Sequence, residues 1–180
     1  MVVAAALLGA CGDDPAVDTS AQPAPTTAPT PSTSTTAPAR PYTADLTTSD
    51  GYRYTITMLV GARTPPGGAP DECPNPATPG KTSFPVTLTV ANQAADRPAP
   101  WPPLRIELAT APGTRPGQVM LKDTSGTCTF TPRVPSIGPG ASVTFKGTTP
   151  AIDDTAAPGT AGRLEVKASE TTFSLTAPLP

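Results

Sequence analysis

Hydrophobic and polar side chains alternate with a period of two through most of the chain beyond residue 42. Tyr52, Tyr54, Ile56, Met58 and Val60 interleave with Arg53, Thr55 and Thr57. Val86, Leu88 and Val90 do so with Thr87 and Thr89, and Leu104, Ile106 and Leu108 with Arg105 and Glu107. The pattern returns at Cys128/Phe130, Val143/Phe145, Leu164/Val166 and Phe173/Leu175. A strand sends successive side chains to opposite faces, so each run predicts a strand with one inward and one outward face. Pro, Gly, Asn or Asp bounds each run, as strand ends require. No window carries a helical period, and prolines interrupt almost every stretch long enough for a helix.

Strands with one apolar face pack as antiparallel sheets face to face. Seven or eight short strands in residues 42–180 predict an all-β domain, an immunoglobulin-like antiparallel β-sandwich, with a small barrel as the alternative. The runs are short and lack aromatic girdles, which argues against a membrane barrel.

Composition divides the chain in two. It has 27 prolines and 15 glycines in 180 residues, and residues 15–41, PAVDTSAQPAPTTAPTPSTSTTAPARP, hold few residues able to build a core. Such a segment cannot bury enough apolar surface to offset its ordering entropy, so a disordered tether is expected. Extended as polyproline II, some thirty residues reach about 90 Å. O-glycosylation of its threonines is compatible with that role.

Before the tether stands MVVAAALLGAC, an apolar run ending at Cys11. Leu8-Gly9-Ala10-Cys11 resembles the lipobox of bacterial lipoproteins: an aliphatic residue, two small ones, then cysteine. The resemblance implies cleavage of residues 1–10 as a signal peptide before Cys11 and diacylglycerol on the Cys11 sulfur. Two or three acyl chains on one residue make a stable membrane anchor. A secretory signal also has a cationic start, yet no Lys or Arg precedes Arg40, so the expected start lies upstream or is misassigned. Residues 11–41 are then anchor and linker, and 42–180 the folded domain.

With Cys11 lipidated, Cys73 and Cys128 remain of the three cysteines. In an exported protein they are expected to pair, fastening the long loop of residues 61–82 over one sheet. Cys128 in register with Phe130 is expected to point inward. YRYTITM, VTLTVANQAADRPAPWPPLRIEL and PSIGPGASVTFKG together resemble the Ig-like domains of secreted or lipid-anchored actinobacterial and Gram-positive proteins, the group containing the mycobacterial immunoprotective extracellular antigen. That resemblance implies a non-catalytic sandwich and transfers no functional residue.

Candidate chemistry is sparse. The chain has no histidine, which excludes Ser-His-Asp, Cys-His and His-metal sites. It has neither SxxK nor a glycine-rich phosphate loop. A net charge of −2 without a basic run gives no electrostatic footprint for nucleic acid. Asp71-Glu72 and Asp153-Asp154 read as solvated turn residues without calcium-loop spacing. Met58, in an inward register, reads as core filler rather than a soft metal ligand. No cofactor, metal or catalytic residue is expected.

The only tryptophan, Trp101, stands in RPAPWPPL. Held among prolines, it reads either as a lid on the core or as a rigid aromatic anchor, with Arg97 beside it. The expected protein is an exported lipoprotein on the outer face of the cytoplasmic membrane, its domain binding an envelope protein or glycan through loops 61–82 and 92–103. A structural accessory of an envelope complex is the alternative, and a carboxylate-dependent hydrolase a further one.

Overall fold

The computed structural model describes residues 40–64, 73, 79–111, 113, 115–155, 162–169 and 171–180. Cys11, the apolar run before it, the expected tether as far as residue 39, and Asp71-Glu72 lie outside the described residues. The described chain is all-β, with no helix, and every strand pairing is antiparallel.

Seven strands of five or more residues carry the fold: β1 (Pro41–Thr47), β2 (Arg53–Val60), β4 (Pro85–Asn92), β6 (Leu104–Ala109), β11 (Ser142–Thr148), β13 (Arg163–Ala168) and β14 (Ser174–Pro178). Between them run β3 (Lys81–Thr82), β5 (Ala99–Pro100), β7 (Gly117–Gln118), β8 (Met120–Lys122), β9 (Cys128–Thr129), β10 (Ser136–Ile137) and β12 (Ile152–Asp153). They assemble as a six-stranded sheet, β1-β2-β4-β11-β8-β9, and a four-stranded sheet, β14-β13-β6-β7. Two ribbons complete the set, β10-β5 and β12-β3.

The alternation forecast from the sequence sets which side chains are buried. Tyr54, Ile56, Met58 and Val60 of β2, and Val86, Leu88 and Val90 of β4, are all buried. They join Leu104, Ile106 and Leu108 of β6, Leu164 and Val166 of β13, and Phe145 of β11 in a single hydrophobic cluster fed by both large sheets. Each large apolar side chain so buried contributes roughly 1.5–3 kcal/mol. Met58 is fully buried among these residues, as its register predicts. Gly147 breaks the inward series of β11 for a steric reason. A Cβ there would run into the Met120 carbonyl and the Leu121 side chain of β8, so only glycine lets β8 pair at that point.

The outward faces differ. Thr43, Thr57, Thr89 and Thr144 stand in one rank across β1, β2, β4 and β11, and hydroxyls bond pairwise between Thr43 and Thr57 and between Thr89 and Thr144. The four-stranded sheet instead carries charges. Arg105 meets Glu107 at 3.0 Å, Glu107 meets Lys167 at 2.7 Å, and Lys167 and Arg163 meet Glu165 at 3.0 and 2.6 Å. Hydrogen bonds from Arg163 and then Lys167 hold the Glu165 carboxyl below its ordinary range. Those to Glu107 and Glu165 hold the Lys167 ammonium above its own.

Two expectations change. The run at Cys128/Phe130 does not point into the core. β9 is a two-residue strand at the sheet edge, with Cys128 only half-buried and Phe130 45% exposed. An edge strand held by one neighbour and a disulfide need not present an apolar residue inward. The expected loop of residues 61–82 has structure at both described ends. Thr64 bridges to Ser83, and β3 pairs with β12.

Candidate functional site

A groove of about 450 Å³ opens where the segment between β5 and β6 approaches the segment that leads into β10. Its first wall is the proline-held stretch around Trp101. Proline fixes φ near −65° and carries no N–H, so residues 98–103 have little freedom and few donors. The backbone N–H of Leu104 closes a tight turn by donating to the Pro102 carbonyl at 2.8 Å. The Trp101 ring packs edge-on against Phe145, centroids 5.0 Å apart at 68°, so one part of the indole belongs to the core and the rest stays accessible. Trp101 is thus half-buried, partly the lid and partly the exposed anchor that the sequence offered as alternatives.

Two buried side chains fix this wall. The Tyr54 hydroxyl donates to the Pro100 carbonyl at 2.5 Å. Burial, and secondarily the neighbouring Tyr52 phenol, pushes the Tyr54 pKa from 10.0 up to about 12, so it remains a donor across the neutral range. Asn92, 3% exposed at the end of β4, donates from Nδ2 to the carbonyls of Arg97, Ile137 and Gly138 at 2.9, 3.2 and 3.1 Å. An amide has two N–H donors, so one of these bonds is shared. Its Oδ1 accepts from the Ala94 N–H at 2.9 Å. Asn92 therefore ties the approach to β5 to the strand β10 that pairs with it.

The second wall is TPRVP, residues 131–135. Pro132 is buried and Val134 packs on the core, which leaves Thr131 and Arg133 exposed. Ser169 closes one end, its N–H and hydroxyl both directed to the Pro103 carbonyl at 3.2 and 3.1 Å. Arg105 enters from the outward face of β6, with its Nε against Glu107 and its side chain 47% exposed. The groove thus offers two guanidinium groups, two hydroxyls and an indole between rigid proline surfaces, and among the described residues no carboxylate lines it.

The sequence-based candidates are distributed as follows. Trp101 lines the groove, whereas Arg97 does not. The Arg97 guanidinium lies over the Tyr52 ring, 4.8 Å from its centroid, a cation–π contact that holds the loop rather than a ligand. Cys73 and Cys128 form a disulfide with Cα atoms 5.7 Å apart. Cys73 is 1% exposed. Asp153 pairs with Lys81 at 2.6 Å and Asp154 with Arg63 at 3.5 Å, both on the surface. Among the described residues no three His, Cys, Asp or Glu side chains gather where a metal ion could sit.

Arg105, Arg133 and Asn92 went unselected in the sequence. The available signal was the shared texture of RPAPWPPLR and TPRVP, two proline-arginine segments some thirty residues apart. For Asn92 it was an amide at an inward strand position. Comparison of the chain with protein-family models, with curated proteins and with solved structures finds no match.

Proposed function

We propose that the protein is an exported lipoprotein, anchored through lipid on Cys11 to the outer face of the cytoplasmic membrane. In this reading residues 42–180 form an immunoglobulin-like β-sandwich that binds an envelope protein or glycan without catalysis. The two antiparallel sheets sharing one apolar cluster accord with a sandwich. The Cys73–Cys128 disulfide accords with an oxidising compartment outside the cytoplasm. The observation that carries the binding role is the Trp101 groove: a rigid concave surface combining an accessible aromatic with a few convergent polar groups, the usual make-up of a recognition site.

Two measurements test it. Mass spectrometry of the mature N-terminus is expected to find Cys11 as a lipidated first residue, with Cys11→Ala releasing the protein from the membrane fraction. An unmodified peptide spanning Met1 to Cys11 overturns the anchor. A photoreactive amino acid in place of the groove residue Thr131 is expected to yield a discrete adduct in intact cells, and the same group in place of Thr144, on the outward face of the six-stranded sheet, none. Equal labelling from both positions, or none from Thr131, overturns the binding role.

A further inference from the structure

Taking the groove as the interaction site, we propose that its ligand is a carboxylate-bearing sugar of the uronic acid type. The sugar ring lies on the exposed part of Trp101 and its carboxylate meets the guanidinium groups of Arg133 and Arg105. Three observations lead there. The first is charge. Among the described residues two arginines line the groove and no Asp or Glu does. Arg105 engages Glu107 through Nε, whereas Arg133 is exposed and has no ion pair or hydrogen bond among the described residues. An unpaired guanidinium beside a half-buried indole presents a planar fork suited to a carboxylate.

The second observation separates a sugar from a peptide. A bound peptide main chain needs partners for both its N–H and C=O groups. The four prolines among the lining residues have no N–H to give, which leaves the groove with few main-chain donors. The carbonyls of Pro100, Pro102 and Pro103 already accept from Tyr54, Leu104 and Ser169. The polar side chains that line the groove are chiefly donors, the two arginines and the Thr131 hydroxyl. They match a molecule rich in oxygen acceptors, as a sugar acid is. The third is shape. A volume of about 450 Å³ lies in the range of small-molecule sites, and the proline walls are set before binding, which lowers the ordering cost.

The full chain, titrated with trigalacturonate, its methyl ester and tetraglutamate, provides the test. Trp101, the sole tryptophan, is the fluorescent reporter. Trigalacturonate is expected to change its emission saturably, weakening as salt rises, while the neutral ester has no effect. Arg133→Ala is expected to weaken binding tenfold or more, and Arg133→Lys less, since it keeps the charge and loses the fork. Arg97→Ala, altered outside the groove, is expected to leave binding unchanged. All three variants should unfold near the wild-type midpoint, because both arginines are exposed.

Equal binding of the ester, tighter binding of tetraglutamate, no saturable response, or indifference to Arg133→Ala overturns the proposal. If trigalacturonate fails while photolabelling from position 131 succeeds, only the ligand class falls. If both fail, the binding role falls with it.

Discussion

Two ribbons are added to the two large sheets, and they differ in their use of charge. The β10-β5 ribbon beside the groove is fixed by neutral, buried groups: the Asn92 amide bonded to three carbonyls and the Tyr54 phenol bonded to Pro100. The β12-β3 ribbon has neutral bonds, among them Thr82 Oγ1 donating to the Thr64 carbonyl at 2.8 Å, and adds surface charges to them. Lys81 pairs with Asp153 across it, Arg63 pairs with Asp154, and the Arg63 guanidinium lies 5.9 Å from the Phe84 ring centroid. Exposed ion pairs are worth little because water and salt screen them. A buried amide deprived of its partners is costly. The ribbon beside the groove is thus the one whose Asn92 and Tyr54 contacts carry no ion pair and so depend least on ionic conditions.

The largest expected effect comes from the disulfide, which joins the segment before β3 to the strand before the second groove wall. Replacing Cys73 and Cys128 by Ser should lower stability in a denaturant melt by about 4 kcal/mol, since the bridge closes a long loop. If the groove is held by Asn92 as described, Trp101 emission in the folded variant should not move. A red shift would show that the bridge shapes the groove too.

Next is Asn92→Ala, expected to cost about 2–4 kcal/mol, because the buried Ile137 carbonyl and two part-buried carbonyls lose their donor. Asn92→Asp is expected to be at least as damaging, since it puts oxygen against three carbonyl oxygens. A cost near zero for either would remove the distinction between the ribbons.

Tyr54→Phe should cost about 1–2 kcal/mol and alter the pH profile. The pKa of Tyr54 is raised in the folded protein, from 10.0 to about 12, so the native state keeps a proton that the unfolded chain releases. Its contribution is full below pH 10 and is lost as pH rises through about 12. Unfolding midpoints measured across that window should fall more steeply for the wild type than for Tyr54→Phe.

The smallest effect belongs to the charged ribbon. Lys81→Met or Asp153→Asn should change stability by at most about 1 kcal/mol, and by less in high salt. A larger, salt-independent loss would place that ribbon in the same class as the first.

Much of the strand content was legible because burial follows alternation. Six of the seven alternating runs became long strands, and Met58 entered the core. The cysteine pairing also followed from the sequence, once Cys11 was set aside. The failure at Phe130 has a physical cause: two alternating residues do not specify a face when a strand pairs along one edge only. β1 is hard to read from the sequence because Tyr42, Ala44 and Leu46 follow directly on the proline-rich stretch. The groove was half legible. Trp101 drew attention through its prolines, but Arg133 reaches it only because β10 pairs with β5, and no local pattern reports that pairing. Arg97 shows the converse. It adjoins Trp101 in sequence, and the chain turns it toward Tyr52 instead.

Buried neutral bonds hold Trp101 half-exposed on a preformed groove, which acrylamide quenching and the emission maximum of Trp101 in the wild-type protein and in Asn92→Ala can check. The expected wild-type result is an intermediate, moderately blue-shifted emission with partial quenching, moving to the red with faster quenching in folded Asn92→Ala. Emission that is fully solvent-like in the wild type, or that Asn92→Ala leaves unchanged, would contradict it.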